Sequence, residues 1–72
     1  MQSHKTPLER AQRRVLEAQA QIARQTAAIA DLQERGLDTT EAEAFLAAIT
    51  DLLHFAQEDV AYFRDRVARE QS

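Results

Sequence analysis

The sequence predicts an all-α protein: an antiparallel two-helix hairpin that pairs with a second copy into a homodimeric four-helix bundle. Three observations lead to this fold class. The composition favours helices, with one glycine and one proline in 72 residues. Apolar residues recur at helical spacing in both halves of the chain. The single glycine, Gly36, stands at the middle, beside signals that end one helix and start another.

The chain is short enough that its size bears directly on how it becomes stable. We expect a single domain over residues 6–72, after a disordered tail over residues 1–5. One core of this size supplies only ~3–5 kcal/mol, so small domains usually add disulfides, a metal or association. The chain has no cysteine, which excludes disulfides, thiolate metal sites and thiol catalysis. Association is therefore the expected source of further stability.

The first helix is predicted over residues 7–35. Thr6 is its N-cap and Glu9 completes a capping box, while Pro7 occupies the first helical position, where a missing N–H costs nothing. A seven-residue apolar repeat then forms a seam, which Gln25 interrupts as a polar residue that could specify register or oligomeric state. The seam consists of Leu8, Val15, Ile22 and Ile29 in one position and of Ala11, Ala18 and Leu32 in the other.

The turn is predicted over residues 36–40. Gly36 can adopt the left-handed conformation that ends a helix in a Schellman motif, with Leu37 after it. A new helix then starts within four residues, and the sequence leaves open which of two capping boxes starts it. The two overlapping boxes are Asp38 with Glu41 and Thr40 with Glu43. A connection this short requires neighbouring antiparallel helices.

The second helix, predicted over residues 41–70, carries the heavier core. Its seam follows alternating steps of three and four residues. We expect Phe45 and Leu52 to flank this seam on one side, and Phe55 and Tyr62 to flank it on the other. The seam itself consists of Leu46, Ile49, Leu53, Ala56, Val60, Phe63 and Val67.

Two helices alone cannot cover these apolar faces. Leu16 lies outside the seam of the first helix and aromatic residues flank the second, and monomers rarely leave so large a patch exposed. A homodimeric four-helix bundle would bury the second face of each hairpin, and a heteromeric complex or a higher oligomer would do so too. The residues expected in the core and dimer interface are Val15, Ile22, Ile29, Leu46, Ile49, Leu53, Val60 and Phe63.

The net charge of −3 is unevenly distributed. Residues 1–36 carry six cations and four acids, whereas residues 37–72 carry three cations and eight acids, which favours pairing of the halves with each other or with another copy. Six arginines at the open end of the hairpin form a candidate phosphate-binding patch: Arg10, Arg13, Arg14, Arg64, Arg66 and Arg69. The negative net charge and the lack of a nucleic-acid motif argue against nucleic acid as the partner.

His54 is the one histidine within a predicted helix. It follows Asp51 by three residues, the spacing of an acid–histidine metal pair, and Glu58 comes one turn later. Both acids face away from the seam, so we interpret this group as a solvated polar face. We expect no catalytic residue, no metal site and no cofactor.

Membrane binding and export are also not indicated. The polar faces mix acids with bases, which argues against a membrane-surface helix, and no apolar run is long enough to span a bilayer. The N-terminus lacks the apolar core of a signal peptide. A cytoplasmic location is therefore expected.

The turn carries a resemblance to known proteins. Its residues form the pattern L-x-x-x-G-x-D-T-x-x-A-E-x-x-L through Leu32, Gly36, Asp38, Thr39, Ala42, Glu43 and Leu46. This pattern resembles a group of small uncharacterised alphaproteobacterial helical-hairpin proteins. The resemblance implies a helical hairpin in a bacterial cytoplasm. Because that group has no assigned activity, it assigns no catalytic or binding residue.

The function expected from these observations is that of a non-enzymatic interaction or assembly module that associates with itself. Two alternatives stay open. The chain could be a small regulator or adaptor that binds a heterologous protein through its apolar faces. It could also bind nucleic acid through the basic open end of the hairpin.

Overall fold

The computed structural model of the chain describes residues 6–71, which form two α-helices joined by a short turn. Helix α1 spans Pro7–Glu34 and helix α2 spans Thr40–Gln71. The two helices pack against each other as a hairpin, and no strand occurs between residues 6 and 71. The all-α class and the packed pair of helices are therefore confirmed. The predicted tail over residues 1–5 lies outside the described residues.

The start of α1 follows the sequence signals. The Thr6 hydroxyl accepts a hydrogen bond of 3.1 Å from the Glu9 amide, and the Glu9 carboxylate accepts one of 2.9 Å from the Thr6 amide. Pro7 opens the helix. The reciprocal bonds satisfy two amides that have no partner within the helix, which confirms the predicted capping box.

Helix α1 ends at Glu34, one residue before the predicted end, because the chain then reverses through Gly36 at a φ of +71°. The Leu37 amide donates to the Leu32 carbonyl at 2.9 Å, and the Gly36 amide donates to the Gln33 carbonyl at 3.0 Å. These two bonds define a Schellman motif, which the sequence predicts here.

Helix α2 begins at Thr40, one residue before the predicted start, and neither predicted capping box forms. Thr39 occupies the N-cap position: its carbonyl accepts the first helical bond, 2.8 Å from the Glu43 amide. The Thr39 hydroxyl also donates to the Glu43 carboxylate at 2.7 Å. Asp38 accepts bonds from the Thr40 amide at 3.0 Å and from the Thr40 hydroxyl at 2.7 Å. The helix cap, Thr39, therefore lies between the two predicted caps, which bond to each other.

The core of the hairpin is narrow. Ile49 is the largest fully buried side chain, with 2% of its surface exposed. Three alanines are buried along the contact, which lets the helices approach closely. Between residues 6 and 71 the buried residues are Ala11, Ala18, Ile29, Ile49 and Ala56. The remaining predicted core and interface residues are half-buried: Val15, Ile22, Leu46, Leu53, Val60 and Phe63.

A two-helix hairpin is a single layer, and its dimensions reflect this. The principal extents are 56 × 28 × 13 Å, so the thinnest dimension is about the diameter of one helix. Each helix has one neighbour and is otherwise open to solvent. No helix among residues 6–71 is long and apolar enough to cross a membrane.

Candidate interaction surface

An open groove of about 400 Å³ runs between the two helices on one side of the hairpin. Its floor contains the buried residues Ala18 and Ala56. Its rim combines apolar side chains from α2 with charged and polar ones from both helices. The rim residues are Arg14, Glu17 and Gln21 of α1 and Leu52, Phe55 and Asp59 of α2.

The groove corrects one prediction about the aromatic residues. Leu52 and Phe55 line it together, so they do not lie on opposite sides of the seam. Three residues advance a helix by about 300°, which leaves the two side chains only about 60° apart. Phe45 and Tyr62 lie seven residues beyond this pair on either end, and seven residues return to the same face. We call these four residues (Phe45, Leu52, Phe55 and Tyr62) the outer stripe of α2.

The outer stripe is exposed along its whole length. The exposed fractions are 56% for Phe45, 59% for Leu52, 63% for Phe55 and 56% for Tyr62. Single exposed apolar side chains are common on soluble proteins, whereas a row of four large ones on one helix face is a candidate interaction surface. The row spans most of the length of α2. It is therefore longer than the pocket that a small molecule occupies.

Tyr62 is held in place although it is exposed. Its ring meets Phe63 edge-on, with centroids 5.1 Å apart. The Arg66 guanidinium carbon lies 5.8 Å from the Tyr62 ring centroid, and Arg66 Nη1 donates to the Tyr62 hydroxyl at 3.3 Å. This hydrogen bond, followed by the charges of Tyr62 and Glu70, raises the pKa of Arg66. The C-terminal end of the outer stripe therefore carries a positioned cation.

A further exposed apolar residue lies apart from the outer stripe. Leu16 is 66% exposed. It follows Arg14 by two residues, and two residues turn a helix by about 200°. Because Arg14 lines the groove, Leu16 points away from it. Leu16 and the outer stripe therefore lie on opposite sides of the hairpin.

The six arginines of the candidate phosphate-binding patch are all exposed, but they do not converge on one surface. Arg64 and Arg66 are two residues apart and point to opposite sides of α2. Acids are interleaved with the cations. Arg13 pairs with Glu17 at 3.2 Å and Arg69 pairs with Asp65 at 3.1 Å.

The predicted solvated face around His54 is exposed, as are Asp51 and Glu58. Within residues 6–71, no group of three or more His, Cys, Asp or Glu side chains is placed to hold a metal ion.

Comparisons with family models, with curated proteins and with solved structures found no match. No relative therefore assigns a role to any residue, and the likeness of the turn to the alphaproteobacterial hairpin proteins stays a prediction. The interpretation of the outer stripe rests on its own geometry.

Proposed function

We propose that this protein is a non-enzymatic assembly module whose activity is association with itself, as a homodimeric four-helix bundle. The observation that carries the proposal is the exposure of the outer stripe, four large apolar side chains along one side of α2. A second hairpin laid on this side would turn the single layer into two layers. Two-layer packing is the usual way in which an amphipathic helix buries its apolar face.

The energetics suit a reversible dimer. Full burial of a large apolar side chain contributes about 1.5–3 kcal/mol, and each residue of the outer stripe has more than half of its surface left to bury. A two-fold dimer buries both copies of the stripe, so eight side chains contribute. The free energy gained by burying them is of the same order as the ~4–15 kcal/mol that association costs in lost translational and rotational freedom.

Sedimentation equilibrium at micromolar concentration tests the proposal directly. We expect the mass of two 8.2 kDa chains, falling toward one chain on dilution. The variant Phe55→Ser should shift the equilibrium toward monomer, because Phe55 is the most exposed member of the outer stripe. The matched control Leu16→Ser removes an equally exposed apolar side chain from the opposite side. A folded monodisperse monomer at all concentrations would contradict self-association.

The outer stripe could instead receive a helix of another protein. In that case the isolated chain would aggregate or melt without a cooperative transition, and affinity capture from the native host would recover a second protein. The interleaved acids at the open end give no comparable support to nucleic acid as the partner.

A further inference from the structure

We infer that the two copies meet through α2 against α2 in antiparallel orientation. The inference rests on the proposed self-association and specifies its surface and direction. Two further residues of α2, Ala48 and Asp59, lie between members of the outer stripe. With Ala48 and Asp59 added, the stripe forms an unbroken alternation of three-residue and four-residue steps. Helix α2 thus carries a second coiled-coil seam beside the seam that contacts α1.

This second seam is symmetric about its own midpoint, which lies between residues 53 and 54. Leu52 and Phe55 are equally far from that point, and so are Phe45 and Tyr62. In an isologous dimer a residue i that contacts residue j is matched by j contacting i. An antiparallel pair with its two-fold axis at the midpoint therefore places Leu52 against Phe55 of the second copy, and Phe45 against Tyr62 of the second copy.

The charges beyond the stripe follow the same symmetry. Glu41 and Arg66 lie on the seam's face and are equally distant from the midpoint. An antiparallel dimer would pair Glu41 of each copy with Arg66 of the other. A parallel dimer would place Glu41 beside Glu41 and Arg66 beside Arg66. The antiparallel dimer brings opposite charges together, whereas the parallel dimer brings like charges together. The charges therefore favour the antiparallel dimer.

One polar residue falls within the apolar part of the seam, and its surroundings accommodate it. Asp59 would lie opposite Ala48 of the second copy, where the small side chain leaves room. Arg14 lines the same groove as Asp59, so α1 of the same chain provides a cation on that side. Both neighbours reduce the cost of covering this carboxylate.

A charge exchange tests the orientation, with the dissociation constant measured by sedimentation equilibrium. Glu41→Arg and Arg66→Glu each create two like-charge contacts per dimer, and each should raise the dissociation constant about tenfold. The double variant restores opposite charges and should return it to within about threefold of the parent.

The chain offers a matched control for each change. Glu43 and Arg64 are two residues from Glu41 and Arg66, so they share the same helix ends but point about 200° away from the seam. Glu43→Arg and Arg64→Glu repeat the change in charge and in its interaction with the helix dipole. Both should alter the dissociation constant less than about threefold.

Cysteine pairing tests the register, because the chain has no cysteine of its own. Chains carrying Ala48→Cys, mixed with chains carrying Asp59→Cys and oxidised, should form a mixed disulfide. Ala48→Cys alone should not dimerise covalently, because its two copies would be roughly 16 Å apart along the helix axis, beyond disulfide reach. The two substitutions lie on exposed positions of α2.

The outcomes separate this inference from the proposed function. A dimer in which Glu41→Arg behaves like Glu43→Arg, or in which Ala48→Cys links to itself, would overturn the antiparallel α2 contact while self-association stands. A parent chain that stays monomeric would overturn both.

Discussion

The side-chain amide of Gln25 in α1 donates a hydrogen bond of 2.9 Å to the backbone carbonyl of Ala42, in the first turn of α2. Gln25 is the polar residue that interrupts the apolar seam, and it is half-buried. Its bond is made only when Ala42 lies opposite it. The contact therefore stabilises this register between the two helices of one hairpin. A part in specifying register is one of the two roles that the sequence suggests for Gln25, and the other is a part in specifying oligomeric state.

Replacing Gln25 with alanine should lower the free energy of unfolding by about 0.5–1.5 kcal/mol, the net worth of one such hydrogen bond. Urea unfolding of parent and variant at equal protein concentration measures the change, since association couples to stability. Gln19→Ala is the control, because Gln19 is exposed on the same helix. This variant should lose no more than about 0.5 kcal/mol of the free energy of unfolding. Equal losses in the two variants would contradict the role assigned to Gln25.

Replacing Gly36 with valine should cost about 1–2 kcal/mol, because the left-handed backbone crowds a side chain. Apart from Gly36 and its two chain neighbours, no heavy atom lies within 4 Å of the position that a Cβ would take, so the cost lies in the backbone and not in a clash with a packed neighbour. Gly36→Asn should lose less, since asparagine tolerates this conformation better. Urea unfolding that ranks valine and asparagine equally would exclude the backbone explanation.

Acid should weaken the turn through Asp38. Hydrogen bonds from the Thr40 hydroxyl and then the Thr40 amide lower the pKa of Asp38 from 3.8. A carboxyl whose pKa is lowered by folding stabilises the protein above its unfolded pKa, and this contribution is lost as the pH falls through its folded pKa. Unfolding free energies measured from neutral pH to about pH 3 should therefore fall less steeply in Asp38→Asn than in the parent.

The control for this pH series is Asp51→Asn, which removes an exposed carboxylate from the middle of α2, away from the turn. It should follow the parent curve. If Asp38→Asn followed it as well, the hydrogen bonds to Asp38 would contribute nothing to stability.

Ile49 should be the most sensitive large side chain in the hairpin because it is the most completely buried one. Ile49→Val should cost about 0.5–1.5 kcal/mol and Ile49→Ala about 2–5 kcal/mol, because each removed carbon leaves a larger cavity. Leu16→Ala is the control at an exposed position on the side away from the groove. Urea unfolding should show a graded loss at Ile49 and little change at Leu16.

Much of the hairpin can be predicted because its signals are local. The capping box of Thr6 and Glu9 and the Schellman ending at Gly36 each depend on residues within a few positions of one another. The helix start was less predictable, because Asp38, Thr39 and Thr40 all carry side chains that can cap a helix. The competition among neighbouring hydrogen bonds decides between them, and Thr39 becomes the cap.

The sequence by itself determined two helices of similar length and the reversal between them, because helix propensity and capping act within single turns of the chain. Only the tertiary structure decided which partner Gln25 finds and which residues of α1 lie beside Phe55. Both depend on how α1 and α2 are rotated about their axes and slid along each other. That arrangement is set by the packing of Ala18, Ile49 and Ala56 across the contact, residues too far apart in the chain for any local pattern to bring together.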